Sequence, residues 1–179
     1  MQAHAHSIRV TVLLLGILLL LSGLAPLMVR AFAAPADSPQ VTLNGTQTQP
    51  RALEDATQQA VTKAYATAWK SMETALADNR TDVISQGFTG VALDRLTEQV
   101  KEQRATGITV KYVDNGHQLD ATFYSPEGSA MELHDTAQLE MQVYSGGKLI
   151  HTENVTRKYV ALLTVADDKW KVRSLQSEP

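Results

Sequence analysis

Residues 107–147 read GITVKYVDNGHQLDATFYSPEGSAMELHDTAQLEMQVYSGG. Apolar side chains fall on every second position: Ile108, Val110 and Tyr112, then Leu119, Ala121 and Phe123, then Met131, Leu133, Ala137, Leu139, Met141 and Val143. A period of two places them on one face of half-buried strands. Asp114-Asn115-Gly116 reads as a hairpin turn, because Asn-Gly takes positive φ at little cost. Pro126-Glu127-Gly128 and Gly146-Gly147 read as further turns. Lys148 to Ala166 reads as one more long strand, bent or bulged near Tyr159, where both parities become apolar. Asp167-Asp168 then turns the chain into a last strand carrying Trp170, Val172 and Leu175.

Upstream of Gly107 the period lengthens. Leu53, Ala56, Ala60, Ala64, Ala68, Met72 and Leu76 recur mostly at steps of four, and Val61, Tyr65 and Trp69 widen the stripe. This spacing predicts a long helix over 52–78 with one apolar face. Glu54 and Asp55 suit its first turn, and Asp78-Asn79 ends it. A short turn or helix runs over 82–86. Gly87 and Gly90 bracket Phe88, and a second helix carries Val91, Leu93, Leu96 and Val100 until it fades at residues 104–107. Helices first, then four or five antiparallel strands joined by short connections, is an α+β architecture with the helices packed on one face of a curved sheet.

Ahead of this body the chain has a different character. Val10 to Val29 is twenty residues without a charge, roughly 30 Å as a helix, the thickness of a bilayer core. Two readings of residues 1–33 stand side by side. In one they form a cleaved signal peptide, with a positive segment up to Arg9, an apolar core over 10–21 and Ala31-Phe32-Ala33 as the cleavage site. In the other the hydrophobic helix stays and residues 10–29 anchor the protein in a membrane, which Arg30 favours. Both export the remainder to the periplasmic or extracellular side, soluble or tethered. Residues 34–50, punctuated by Pro35, Pro39 and Pro50, read as a flexible linker, leaving 51–179 as the domain.

Composition bounds the chemistry. The 179 residues allow one ordinary domain, and 44 % hydrophobic with 20 % charged residues is a globular balance. With no cysteine there are no disulfides, zinc–thiolate sites, iron–sulfur clusters or thiol catalysis. The formal charge is −3; without residues 1–33, Lys+Arg falls from 16 to 14 against 19 acids, near −5, so nothing draws the chain to nucleic acid. Asn44-Gly45-Thr46, Asn79-Arg80-Thr81 and Asn154-Val155-Thr156 are acceptor sequons only where a eukaryotic secretory pathway reads them.

The order of elements, with Tyr65, Trp69 and Leu76 on the long helix, Asp82, Gly87, Gly90 and Leu93 at the next joints, and Tyr159, Leu162 and the Asp168–Val172 run at the end, resembles the nuclear transport factor 2-like superfamily of cone-shaped α+β domains, among them its SnoaL-like members and the IMS domain of chloroplast-division proteins. The resemblance covers roughly 52–176 and rests on pattern rather than signature. It implies a pocket between helices and curved sheet, with Tyr65, Trp69 and Asp135 as its lining. The superfamily holds isomerases, dehydratases, ligand binders and assembly domains, so the fold leaves the activity open.

Asp135 is the catalytic candidate. Its parity puts it on the apolar face among Leu133 and Ala137, where burial raises a carboxyl pKa and makes it a base. No partner for it is legible. His117, His134 and His151 lie on neighbouring strands, but His134 and Asp135 have opposite parity, and His117 and His151 follow turns where polar residues are ordinary. No metal or cofactor is expected, and no serine-triad, metalloprotease or phosphate-loop pattern occurs. Arg157-Lys158 with Lys169, Lys171 and Arg173 forms a mixed solvated stripe. These features favour an exported non-enzymatic interaction or assembly domain, membrane-tethered or free in the periplasm, with a protein partner or a second copy on the open sheet face. The alternative is a small-ligand domain or SnoaL-like isomerase or hydrolase using Asp135.

Overall fold

The computed structural model describes residues 39–178. The 1–33 segment, with its signal or anchor readings, lies outside them. Among the described residues no helix is long and apolar enough to cross a membrane. The elements run β1 (Val41–Asn44), β2 (Gln49–Pro50), α1 (Asp55–Asp78), a single 3₁₀ turn (Ile84–Gln86), α2 (Gly90–Thr106), β3 (Ile108–Tyr124), β4 (Ala130–Ser145), β5 (Lys148–Ala166) and β6 (Lys169–Ser177). From α1 onward this is the expected order of helices followed by sheet.

α1 starts three residues later than the periodicity predicts. Glu54 is the last extended residue before it (ψ 148°), tied to Arg51 at 2.7 Å. Asn79 closes it in the left-handed conformation, its N–H donating to the Ala75 carbonyl. Val61, Tyr65, Ala68, Trp69, Met72, Ala75 and Leu76 form the buried stripe. The alanines let a neighbour approach closely: a Cβ on Gly87 would stand 2.2 Å from the Ala68 Cα. Only glycine lets the 3₁₀ turn lie against the helix backbone there, and Phe88 is thereby driven into the core at 1 % exposure.

β3 to β6 make an antiparallel meander in the order β3-β4-β5-β6. The expected Asn-Gly hairpin does not occur. β3 runs unbroken through it, because residues 108–114 pair with 139–145 and residues 116–121 pair with 133–138 of the same strand. Asp114-Asn115-Gly116 is a bulge instead. Gly116 takes φ 131° and its N–H donates to Asp114 Oδ1 at 2.6 Å. The positive φ that Asn-Gly permits is spent on a kink within a strand rather than on a reversal.

The expected linker is corrected over its second part. Residues 41–44 and 49–50 add to the free edge of β3 as parallel strands, completing a mixed six-stranded curved sheet. The register is Val41 with His117 through Asn44 with Asp120. Leu43 is buried, and Thr48 Oγ1 donates to the Ala121 carbonyl at 3.2 Å. Four alternating residues among Pro, Thr, Gln and Asn are too few to show as a strand, and their partner lies over seventy residues away. The irregularity in β5 also moves. Its register shift against β6 falls between Leu162 and Leu163, not at Tyr159. What begins at Tyr159 is cover: β6 pairs with β5 only from there on, so residues 148–158 are largely exposed and the apolar run follows.

Candidate functional site

Asp135 faces the helices, as its alternation with Leu133 and Ala137 predicts, and is 2 % exposed. Its cross-strand partners are Leu119 on β3 and Tyr159 on β5. Tyr65, one turn before Trp69 on α1, donates its hydroxyl to Asp135 Oδ2 at 2.8 Å. His117 Nδ1 lies 2.8 Å from the same oxygen. The other ring nitrogen, Nε2, stands 3.3 Å from Asp114 Oδ2, close as an ion pair but without hydrogen-bond alignment. Trp69 covers the imidazole with ring centres 4.3 Å apart, and Tyr159 meets the indole edge-on at 5.5 Å. The three expected lining residues, Tyr65, Trp69 and Asp135, do come together, and His117 joins them.

The sheet brings His117 inward, against the expectation that it follows a turn. With no reversal at Asn-Gly, His117 keeps the parity of Leu119 and Ala121 and is 1 % exposed. Its backbone N–H donates to the Gln40 carbonyl at 2.8 Å, so the bulge and β1 together set its position. The signal that would have found it is that parity, carried back two residues from Leu119. His134 and His151 stay on the surface near Glu132, Glu178 and Glu153. The three histidines do not converge, and among the described residues no group of three or more His, Asp or Glu side chains is arranged to hold a metal.

Electrostatics makes this a charged cluster. Burial pulls the His117 pKa down, but the contacts and charges of Asp114 and Asp135 outweigh it and lift it to about 9. The imidazolium therefore sits between two carboxyl groups at neutral pH. Burial pushes the Tyr65 hydroxyl well above its ordinary value, with the charge of Asp135 adding to it. Asp135 Oδ1 has no partner among the described residues. The chemistry present is that of a carboxyl group gripping a histidine and a tyrosine, the parts of a general acid–base relay. Access is missing: the side chains of Asp135 and His117 are both 0 % exposed.

Glu73, on α1 beside Met72, faces the same cluster from its rim. Burial and then the charge of Asp114 raise its pKa to about 7 from 4.5. An acid whose folded value is raised stabilises the fold below its unfolded pKa and loses that contribution as pH rises through the folded one. The window here is pH 4.5 to about 7. Glu73→Gln is therefore expected to exceed the parent in stability above that window by about 1–2 kcal/mol, and to flatten the pH dependence within it. Urea unfolding at stepped pH checks this, and no gain on the alkaline side would refute it.

No protein-family profile matches the chain, and no curated protein matches it. Solved structures do. The intermembrane space region of the chloroplast protein ARC6 superposes with a TM-score of 0.61 at 16 % identity, over 72 % of this chain and 98 % of that one. The chain shares the fold of that region. Aln2 from a Streptomyces species gives a TM-score of 0.47 at 11 % identity, over 72 % and 93 % of the two chains. A putative dehydratase of the NTF2-like family from Streptomyces avermitilis gives 0.44 at 9 %, over 68 % and 97 %. At these identities each likeness is one of fold alone.

Proposed function

We propose that the chain is an exported interaction domain that serves in a larger assembly, held at a membrane by residues 10–29, and performs no reaction itself. The observation that carries this is the sealed state of Asp135 and His117. The groups best suited to chemistry lie under Trp69 and are invested in holding α1 to the sheet. The likeness of fold to the ARC6 intermembrane space region, which spans nearly all of that chain, supports an extracytoplasmic setting. The partner surface in this reading is the sheet face turned away from the helices. Opposite in parity to Asp135, it carries Glu132, His134 and Thr136, with Phe123 exposed among them at 39 %. A protein partner or a second copy would dock there.

The alternative, a ligand domain with Asp135 as base, draws on the Tyr65–Asp135–His117 geometry. A gentle-detergent pull-down of the full-length chain from its native membranes, with mass spectrometry of its N-terminus and of the chains that come with it, separates the readings. A bait that keeps residues 1–33 and brings stoichiometric membrane partners is the expected result. A bait that starts near Ala34, stays soluble and comes alone would sink the assembly reading.

A further inference from the structure

Beyond the buried cluster, on the far side of Tyr159, a hollow of about 350 Å³ opens between α2 and the sheet. Its apolar walls come from Met72 and Leu76 of α1, Leu96 of α2 and Leu175 of β6. Six polar side chains line it: Arg95, Arg157, Tyr112, Tyr159, Gln99 and Ser177. All six can donate hydrogen bonds, and no acidic residue lines the hollow. Among the described residues neither arginine forms a salt bridge. Burial raises both phenols, Tyr159 to about 12, and the Arg157 charge pulls both back.

An acidic protein body that gathers two unpaired guanidiniums and two phenols around an apolar floor has the complement of one kind of ligand. We propose that this hollow binds a small amphipathic carboxylate, its anionic head between Arg95 and Arg157 and its apolar body against Leu76, Leu96 and Leu175. Guanidinium offers a forked donor that matches a carboxylate, and such charge-assisted pairs are the strong polar contacts. The apolar walls supply the remaining affinity, in the usual pattern of a largely apolar site with a few placed polar groups. The site is independent of whether the domain also holds a protein partner. It makes no use of Asp135, which lies buried behind Trp69 and Tyr159.

The test uses the purified full-length chain in nonionic detergent and follows para-fluorohydrocinnamate by fluorine NMR. Para-fluorohydrocinnamyl alcohol reports the apolar body without the charge, and inorganic phosphate reports charge without the body. The acid is expected to bind saturably and the alcohol at least about tenfold more weakly. Arg157→Gln and Arg95→Gln, both at exposed positions, are each expected to weaken the acid about tenfold while leaving the thermal transition in place. Equal binding of acid and alcohol would overturn the proposal, as would indifference to both arginine variants. Displacement of the acid by an equal concentration of phosphate would overturn it too, since the apolar walls would then contribute nothing.

Discussion

Asp135→Ala is expected to cost about 3–5 kcal/mol of folding stability, the range for removing one partner of a buried charged pair. The loss is not that of a single hydrogen bond. The carboxyl group serves Tyr65 and His117 at once, each at 2.8 Å, and its removal leaves an imidazolium facing only the poorly aligned Asp114. Asp135→Asn keeps the shape and an acceptor for Tyr65, so its cost is smaller, and its signature lies in the pH dependence. His117 has a folded pKa of about 9 against 6.5 in the free residue. A histidine raised in this way stabilises the fold fully below 6.5 and loses the contribution as pH rises through 9. The parent is therefore expected to lose about 3 kcal/mol across that window, and Asp135→Asn to show a flatter profile. Denaturant unfolding at the two ends of the window reads both. The same variant bears on function. Retention of a partner by Asp135→Asn fits the assembly reading, and a selective loss of a small-molecule activity fits the alternative.

Trp69→Ala is expected to be as damaging, about 3–5 kcal/mol. Trp69 is 1 % exposed and touches three aromatic neighbours: Tyr65 at 6.4 Å, His117 at 4.3 Å and Tyr159 at 5.5 Å between ring centres. α1 supplies Trp69 and the sheet supplies His117 and Tyr159, so the indole is the plug between the two layers. Its removal leaves a void that rigid β-strands cannot close, and the cavity term then adds to the lost transfer energy. Thermal unfolding checks the size. A drop below about 1 kcal/mol would mean that the layers collapse onto each other without it.

The parts of this fold that alternate over long stretches are legible in the sequence, and the parts that depend on a distant partner are not. β4 carries a sixteen-residue pattern, so local periodicity alone places Asp135 on the inner face. Asn115-Gly116 shows where a local rule fails. The dipeptide permits both a reversal and a bulge, and the choice is made by β4, which is long enough to pair with both sides. A reversal at that one point puts His117 outside and leaves Asp135 without its partner. β1 and β2 lose their signal differently, through shortness and a polar composition that a linker shares. Arg95 and Arg157 lie sixty-two residues apart and come to line one hollow only through packing of α2 over the sheet.

The parallel addition of β1 to β3 has a mechanical side. A pull on the chain ahead of residue 39, directed along the strand, stretches the β1–β3 backbone ladder in shear. The Thr42 bond to the His117 carbonyl and the Asn44 bond to Asp120 are strained at the same moment. Bonds in that geometry must rupture together, whereas a hairpin pulled from its open end parts one rung at a time. Tension entering by this route reaches the sheet first at His117, whose side chain Asp135 already clamps, and is passed from there across the meander.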